Sequence, residues 1–375
     1  MSAVGNVLIV GGGAAGAATA ILLAEGGVSV ELIDIKPDIS ALGSGITLMG
    51  NALRVLRRLG VWEQVRDQGY AFDTLGLRAP DPHGTLLVEL ADVQMDPDLP
   101  ATLGMYRPTL AKILVDRAVE VGAKVRFGTT YNALDQDPSG VDVSFADGST
   151  GRYDLVIGAD GVRSWTRRML GIHLETRGTG MGIWRAFTAR PHDVVRTDLF
   201  YGGPCYIAGY CPTGADSLYA YLVEDAQDRS TLTPDASLEV MRGLAEAYHG
   251  PWDEIRAGLT DPSRVNYTWF ESHLLEAPWH RGRVVLIGDA AHTCPPTLAQ
   301  GAAQAFEDAA VLAELLLAAD AVTDELWQAF LQRRFDRAST IVEASLQLAQ
   351  WLLNHERGDV PGLMGRVTRM LSVPA

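Results

Sequence analysis

The feature that most constrains this sequence is a glycine-rich turn between a predicted strand and a predicted helix. The apolar run NVLIV at 6–10 precedes GGGAAG at 11–16, and an Ala- and Leu-rich stretch then continues to Glu25. A second β-branched run begins at Val28 and ends at Asp34. Short apolar runs of this kind are typical of buried strands, and Ala and Leu are strong helix formers. The order of strand, turn, helix and strand predicts a βαβ unit of an α/β fold.

The spacing of the glycines predicts a dinucleotide site. Gly11, Gly13 and Gly16 match the pattern GxGxxG. In this pattern the first glycine allows a tight turn, the second lets a pyrophosphate approach the backbone, and the third lets helix and strand pack closely. Asp34, at the end of the second strand, can accept hydrogen bonds from a ribose. The motif alone does not distinguish FAD from NAD, and a tight turn in an unrelated α/β domain is the alternative.

Composition and charge argue against several other classes of protein. The 375 residues include 31 Lys and Arg against 46 Asp and Glu, and this net charge of −15 disfavours nucleic acid as a partner. Three cysteines without a CxxC pair predict neither a disulfide framework nor a metal site, and they favour a cytoplasmic location. The apolar stretch 4–24 follows no Lys or Arg and is rich in Gly and Ala. We therefore expect neither a signal peptide nor a membrane span.

Two further motifs follow predicted strands later in the chain. One strand leads into GADG at 158–161. Another leads into GDAAH at 288–292, which is followed by the loop PPTLAQG at 295–301 and a predicted helix at 302–317. The three motifs, in this order and over about residues 4–317, resemble those of the single-component FAD-dependent aromatic hydroxylases, the monooxygenases related to p-hydroxybenzoate and salicylate hydroxylases.

The resemblance implies both a fold and a reaction. The fold is α/β, with a Rossmann-like FAD-binding domain, an inserted antiparallel-sheet substrate domain and C-terminal helices. The reaction hydroxylates a small phenol-like aromatic substrate with O₂, while NADH or NADPH reduces FAD and a flavin C4a-hydroperoxide donates the oxygen. The chain shows no second GxGxxG, as expected where the nicotinamide binds transiently. The alternatives are N-hydroxylation, epoxidation or Baeyer–Villiger oxidation of a natural-product scaffold, and a non-catalytic flavin-binding protein.

The same resemblance implies which residues contact FAD. Asp34 would bind the adenosine ribose, Asp289 the ribityl chain, and Pro296 would lie beside the flavin ring. Asp160 would take part in binding FAD and NAD(P)H, or it has only a structural role in the turn. The family usually has Glu in place of Asp34, and many relatives have Gly in place of Ala299. The expected cofactor-binding residues are Gly11, Gly13, Ala14, Ala15, Gly16, Asp34, Ile35, Lys36, Gly45, Ile46, Arg107, Asp160, Asp289, Pro296, Leu298, Ala299, Gln300 and Gly301.

The middle of the chain predicts the substrate site. Strand-like runs between Gly and Pro turns predict an antiparallel sheet. Alternation places Tyr206 and Tyr210 on one face. The same alternation pairs Tyr219 with Tyr221, and all these rings either line a pocket or simply pack the sheet. Arg185 lies among apolar neighbours and needs an anionic partner, either a substrate carboxylate or a structural acid. The expected substrate-site residues are Arg185, Tyr206, Tyr210, Tyr221 and Pro296.

Two histidines and the domain limits complete the prediction. His273 is a further candidate base, whereas His292 is expected to be structural. We expect a monomer or a homodimer that takes a small aromatic substrate and O₂. The predicted domains are a discontinuous FAD-binding domain at 1–75, 101–176 and 275–320, a substrate domain at 76–100 and 177–274, and a C-terminal helical region at 321–375.

Overall fold

The computed structural model describes residues 2–39 and 45–375. The resemblance also implies that the segment 43–46 lies near the flavin ring. Residue 43 is outside the described ranges, whereas Gly45 and Ile46 are inside them. No helix in the described part of the chain is both long enough and apolar enough to cross a membrane.

The strands and helices follow the chain in this order. The strands are β1 Asn6–Val10, β2 Ser29–Ile33, β3 Ile46–Met49, β4 Tyr70–Phe72, β5 Thr74–Arg78, β6 Leu86–Ala91, β7 Thr102–Met105, β8 Lys124–Arg126, β9 Tyr131–Asp137, β10 Gly140–Phe145, β11 Thr150–Tyr153, β12 Leu155–Gly158, β13 Arg177–Ala189, β14 Thr197–Gly202, β15 Cys205–Pro212, β16 Ser217–Asp225, β17 Val265–Leu274, β18 His280–Arg281, β19 Val284–Leu286 and β20 His292–Thr293. The helices are α1 Ala14–Glu25, α2 Gly50–Arg58, α3 Trp62–Gln68, α4 Arg107–Glu120, α5 Trp165–Met169, α6 Pro234–Ala245, α7 Pro251–Gly258, α8 Gly301–Ala318, α9 Asp324–Leu353 and α10 Val360–Ser372.

The first sheet is mostly parallel and contains the predicted βαβ unit. Its strand order is β18-β19-β12-β1-β2-β8, and β1 pairs in parallel with β12 and with β2. β1 is an uninterrupted apolar run because both of its faces are covered. Val7 and Ile9 join the core with α1 and α8, whereas Leu8 and Val10 pack against the small sheet β11-β10-β9. The predicted Rossmann-like fold is confirmed.

The second large sheet is the predicted antiparallel sheet. Its order is β20-β17-β13-β16-β15-β14-β5-β6, and all its pairs are antiparallel except β14 with β5. Helices α6 and α7 cover one face, where Trp184, Phe200 and Tyr210 are buried. On the other face, Thr47 of β3 and Gly104 of β7 contact β15, and α9 packs against β13, β17 and β20. The sheet therefore lies between a helical cover and the FAD-binding region.

One predicted domain boundary falls inside a strand. β5 spans Thr74–Arg78 and lies wholly in the eight-stranded sheet, so the expected limit after residue 75 divides it. The local pattern could not reveal this, because β5 joins the sheet through a parallel pairing with the distant β14. The C-terminal helix α9 packs against both α8 and the eight-stranded sheet. The rest of the domain division stays a prediction.

Candidate active site and cofactor cleft

The three motifs meet at one edge of the parallel sheet. β19, β12 and β1 lie side by side, and their carboxyl ends lead into the GD, GADG and GxGxxG motifs respectively. A side chain at Gly11 would overlap the backbone of Ala159, and one at Gly288 would contact Ala15. Open parallel sheets bind ligands at the carboxyl ends of their strands. Motifs that are distant in sequence therefore form the wall of a single cleft.

The glycine-rich turn leaves room for a pyrophosphate. Gly11 has a φ of 105°, in the region that favours glycine, and a side chain at Gly16 would overlap the Gly11 carbonyl. A Cβ at Gly13, in contrast, would meet no atom within 4 Å. Gly13 directly precedes α1, which begins with Ala14 and Ala15. The unpaired N–H groups of this helix start therefore face open space that a phosphate can enter.

Asp34 is fixed beside this turn. Its Oδ2 accepts a hydrogen bond from the backbone N–H of Gly12 (2.8 Å), and its Oδ1 accepts one from the backbone N–H of Lys36 (2.8 Å). A carboxylate has further lone pairs, so both oxygens can still accept from hydroxyl groups. Ile35, between these residues, is 73% exposed. The turn thus holds Asp34, which is one methylene shorter than the Glu usual in the family, in place. The contact of Asp34 with the ribose stays a prediction.

Asp289 lies in the wall of a deep cleft. It belongs to a 3₁₀ turn after β19, and its side chain is open to solvent although protein surrounds it. Desolvation raises the pKa of its carboxyl, while the charges of His292 and Arg107 act in the opposite direction. An acid that is accessible and yet enclosed by protein is typical of a ligand-binding cleft.

His273 of β17 holds the backbone of Asp289. Its Nε2 donates to the Asp289 carbonyl (2.9 Å), and its Nδ1 accepts from the hydroxyl of Thr176 (2.8 Å). Burial lowers the pKa of His273 to about 4, so the ring is neutral at pH 7. Because both nitrogens are engaged, His273 orients the loop, and the expectation that it serves as a base is not supported.

We expect Asp289→Ala to weaken FAD binding about tenfold, because a hydrogen bond to a charged group contributes about 1.5 kcal/mol. The FAD dissociation constant of the reconstituted protein, measured by quenching of flavin fluorescence, checks this. Asp289→Asn is the matched control, since it keeps the size and one acceptor oxygen, and it should have a smaller effect. Equal flavin content in the Ala variant and the wild type after gel filtration would contradict the assignment.

Arg107 offers a positive charge to the same cleft. It is the first residue of α4, and its side chain is exposed. Within residues 2–39 and 45–375, no side chain or carbonyl is hydrogen-bonded to its guanidinium. Its charge opposes the rise that burial causes in the pKa of Asp289 and of Tyr219 on β16, so Arg107 is close to both the GD loop and the antiparallel sheet. This arrangement fits the expectation that Arg107 contacts FAD.

The loop before α8 consists of a 3₁₀ turn followed by a residue in the left-handed conformation. Pro296 is exposed and begins a 3₁₀ turn that ends at the buried Leu298. Ala299 follows with a φ of 52°, and this left-handed conformation costs a residue with a Cβ about 1 kcal/mol. An alanine at this position, where the resemblance leads us to expect glycine, therefore adds strain to the loop.

The end of this loop can face the cofactor only through its backbone. The Gln300 side chain is fully buried, and its Oε1 accepts from Asn51 of α2 (3.0 Å). Gly301 begins α8, and a Cβ there would meet no atom within 4 Å. The N–H groups at the start of α8 can therefore stabilise negative charge on a bound ligand. The contacts predicted for this loop otherwise stay predictions.

Asp160 has a clear structural role in the GADG turn. Its Oδ2 accepts from the backbone N–H (2.8 Å) and the hydroxyl (2.9 Å) of Thr166, and its Oδ1 accepts from Ser164. These bonds hold the turn against the start of α5 and beside Gly11. The turn-residue role, which the sequence left open, is therefore present, while contact with FAD or NAD(P)H stays a prediction.

Arg185 and two tyrosines lie on the sheet face opposite α6 and α7. Arg185 donates through Nε to the Tyr219 hydroxyl (3.1 Å), and its guanidinium also donates to the Thr268 hydroxyl. The rings of Tyr219 and Tyr221 are 5.0 Å apart. No described carboxylate pairs with Arg185, so the structural acid that the sequence left open is absent from this part of the chain.

This group borders the cofactor cleft. A side chain at Gly45 would overlap the ring of Tyr219, and Ile46, the next residue, begins β3. Burial raises the pKa of Tyr219 and, more strongly, that of Tyr221. Both phenols therefore remain protonated near neutral pH and can donate hydrogen bonds.

The prediction that Tyr210 lines the substrate site is wrong. Tyr210 is only 1% exposed and packs under α7, with its ring 6.4 Å from that of Trp252. Its hydroxyl donates to Asp198 (2.7 Å). Tyr210 occupies the opposite face of the sheet from Arg185, and that face is closed by helices.

Tyr206 does not share a face with Tyr210, although alternation predicted that it would, because it packs in the same apolar cluster as Tyr221. Its hydroxyl donates to Asp225 (2.6 Å), and its ring lies 5.8 Å from that of His355, beyond the end of α9. It is three residues before Gly209, the cross-strand partner of Tyr221, or about 10 Å along the strand. A role of Tyr206 at the substrate site therefore stays a prediction. Tyr219, which is not among the expected substrate-site residues, contacts Arg185, and its shared alternation with Tyr221 was the available signal.

The comparisons with known proteins agree with this geometry. Residues 5–345 match the family model described as an FAD binding domain. The Bacillus subtilis protein YetM, which carries the name of an FAD-dependent monooxygenase, is 32% identical over 94% of this chain and 95% of its own. The 6-hydroxynicotinate 3-monooxygenase of Pseudomonas fluorescens is also 32% identical, over 95% of this chain and 94% of its own.

A solved structure is similar over nearly the same extent. The tetrameric form of 2-methyl-3-hydroxypyridine-5-carboxylic acid oxygenase superposes with a TM-score of 0.79 at 26% identity, over 95% of this chain and 93% of its own. The cleft formed by the three motifs, the match over most of the chain and these relatives lead to one conclusion. The chain belongs to the family of FAD-binding monooxygenases, and it is an FAD-dependent oxidoreductase.

Proposed function

We propose that this monooxygenase hydroxylates a small aromatic or heteroaromatic ring that bears a hydroxyl group and an acidic group. The observation that carries the proposal is Arg185, a half-buried cation whose only partners among residues 2–39 and 45–375 are the hydroxyls of Tyr219 and Thr268. A buried cation without a carboxylate partner is costly unless a ligand supplies the anion. The names of two relatives, 6-hydroxynicotinate 3-monooxygenase and 2-methyl-3-hydroxypyridine-5-carboxylic acid oxygenase, describe substrates of this class.

The described residues contribute binding and orientation. FAD, when bound, supplies the redox chemistry and the activation of O₂, with NADH or NADPH as the electron donor. The guanidinium of Arg185 can bind a substrate carboxylate in two parallel hydrogen bonds. The protonated hydroxyl of Tyr219 fixes the guanidinium, and the protonated Tyr221 can donate to an oxygen on the ring. The reaction places one atom of O₂ on the substrate and reduces the other to water.

We expect Arg185→Met to raise the apparent KM for an acidic substrate by about 30-fold, because loss of a charged hydrogen-bonding partner costs about 2 kcal/mol. Steady-state kinetics on protein with full flavin content measures this. Arg185→Lys is the matched control, since lysine keeps the charge but lacks the planar guanidinium. The KM of this variant should lie between that of the wild type and that of Arg185→Met. An unchanged KM in a folded Met variant would mean that Arg185 is structural.

The test of the proposed function measures NADH and NADPH oxidation with O₂ uptake across hydroxybenzoates, hydroxypyridine carboxylates and uncharged phenols. A compound that accelerates oxidation and gains one oxygen atom by mass spectrometry identifies the substrate class, and we expect it to be acidic. Faster oxidation with only hydrogen peroxide as product marks an effector. If no compound accelerates oxidation of NADH or NADPH, the proposal fails. The alternatives are then oxidation of a natural-product scaffold and a non-catalytic flavin-binding protein.

The cellular setting is proposed on fewer observations. Cys205, Cys211 and Cys294 are all free, as the proposed cytoplasmic location requires. Burial raises the pKa of Cys294, the one nearest Asp289 in sequence, to about 12, so its thiol is protonated and is not a nucleophile. A monomer or a homodimer remains the proposed state, and sedimentation analysis of the flavin-loaded protein decides between them.

A further inference from the structure

We propose that Asp308 of α8 is a positioning residue for FAD, acting through the loop that carries Asp289. Asp308 is 0% exposed. Its Oδ2 accepts from the backbone N–H of Gly288 (2.8 Å) and from Nε2 of His292 (2.7 Å). These two residues lie on either side of Asp289 in the chain, so one carboxylate oxygen ties both ends of the loop.

The direction of this carboxylate is itself fixed. Its Oδ1 accepts from Nε of Arg334 on α9 (2.7 Å), and Arg334 is also 0% exposed. A carboxylate clamped between a guanidinium and two donors cannot rotate without losing a charged hydrogen bond. Side chains behind a binding residue that are held in this way set the geometry of the site.

The loop has a second support on its other side. His273 donates to the carbonyl of Asp289 (2.9 Å), so the backbone is held at Gly288, at Asp289 and at His292. The Asp289 side chain alone projects into the open cleft. Asp308 therefore sets the position from which Asp289 reaches a ligand. This inference rests on Asp289 contacting FAD, which the Asp289→Ala experiment tests separately.

The experiment is a double-mutant cycle on the FAD dissociation constant of the full-length protein. Asp308→Asn alone should raise it about tenfold, since a charged hydrogen bond to the loop is lost. If Asp308 acts through Asp289, Asp289→Ala should weaken FAD binding much less in the Asp308→Asn background than in the wild type, because the two residues support one contact. Flavin fluorescence titrations of the four proteins give the coupling.

Arg337→Met is the matched control. Arg337 also forms a buried ion pair between α9 and α8, with Glu307 (2.7 Å), but it does not contact the GD loop. The control should lower the thermal unfolding midpoint while leaving the FAD dissociation constant within about twofold, and its effect on that constant should be additive with that of Asp289→Ala. A purely structural role of Asp308 would give the same pattern as this control and would overturn the proposal.

Further outcomes are equally decisive. If Asp308→Asn does not fold, Asp308→Glu replaces it, since Glu keeps the charge for Arg334 while the extra methylene displaces the carboxylate from its present position beside Gly288. Unchanged FAD affinity in a folded Glu variant overturns the proposal, and weakened affinity supports it. If the Asp308 variants bind FAD more weakly but Asp289→Ala binds it normally, Asp308 does not act through Asp289 and the proposal is overturned. This result would not affect the proposed substrate class.

Discussion

Gly13→Asp should yield a folded protein that no longer retains FAD. A Cβ at Gly13 would meet no atom within 4 Å, and the backbone there, with φ −76° and ψ −169°, is one that any residue adopts. Gly13 is the N-cap of α1, a position at which Asp is among the preferred residues. The new carboxylate would, however, occupy the helix start to which the pyrophosphate is expected to bind, and it would repel that anion.

The expected magnitude is at least a 100-fold rise in the FAD dissociation constant, or about 3 kcal/mol, from the lost backbone contacts and the like charge. The thermal midpoint of the flavin-free protein should stay the same or rise slightly, because the new cap satisfies an N–H group. Gly13→Asn is the control that distinguishes the effect of side-chain size from that of charge, because Asn is similar in size to Asp but uncharged. Gly178→Asp adds the same charge at another open, exposed position, and it should leave FAD binding unchanged. Normal flavin content in Gly13→Asp would refute the assignment of this turn to the pyrophosphate.

The sequence sufficed for the cofactor side because the relevant signals are local. A strand, a glycine turn and a helix occupy consecutive residues 6–25, and each property follows from the residues within that stretch. The meeting of the motifs also follows from the sequence once the sheet is taken as parallel, since strand ends of one direction share an edge. The strand order and the close approach of Gly11 to Ala159 show that the motifs do lie side by side.

The substrate side was less predictable because it depends on which face of a sheet is covered. Alternation separates the faces along most of a strand, but it wrongly pairs Tyr206 with Tyr210. Tyr210 and Tyr221 are both aromatic residues in apolar strands, and only the packing of α6 and α7 distinguishes them. The partners of Arg185 depend on the register of β13 with β16 and β17. Register is set by contacts between distant segments, which one sequence does not display.

A buried charge network between α8 and α9 was also beyond sequence reasoning. Glu307 and Asp308 are adjacent in the sequence, and both are nearly inaccessible. Arg334 bonds both acids, to Glu307 through one terminal nitrogen (2.9 Å) and to Asp308 through Nε (2.7 Å). Their pairing requires the antiparallel packing of two helices, which places the Arg beside both acids.

Removing Arg334 should therefore destabilise the protein more than any surface substitution. Arg334→Met leaves two buried carboxylates without their shared partner, and loss of one member of a buried network costs about 3–5 kcal/mol. At about 2 °C per kcal/mol for a large chain, the thermal midpoint should fall by about 8 °C. Arg333→Met is the matched control: the neighbouring arginine pairs with Glu314 at the surface, and its loss should cost less than about 1 kcal/mol.

The difference in thermal midpoint between Arg334→Met and the wild type should also depend on pH, and this gives a second check. Burial alone would raise the pKa of Asp308, but the charges of His292 and Arg334 lower it to about 2, below its ordinary value of 3.8. A group with a lowered folded-state pKa stabilises the protein fully above about pH 4 and loses that contribution as the pH falls toward 2. In Arg334→Met the pKa of Asp308 rises, so the carboxyl takes up a proton at a higher pH and its burial becomes less costly. The gap in thermal midpoint between Arg334→Met and wild type should therefore narrow as the pH is lowered from 7 to 4. A gap that widens over this range would show that the Arg334 charge does not stabilise Asp308.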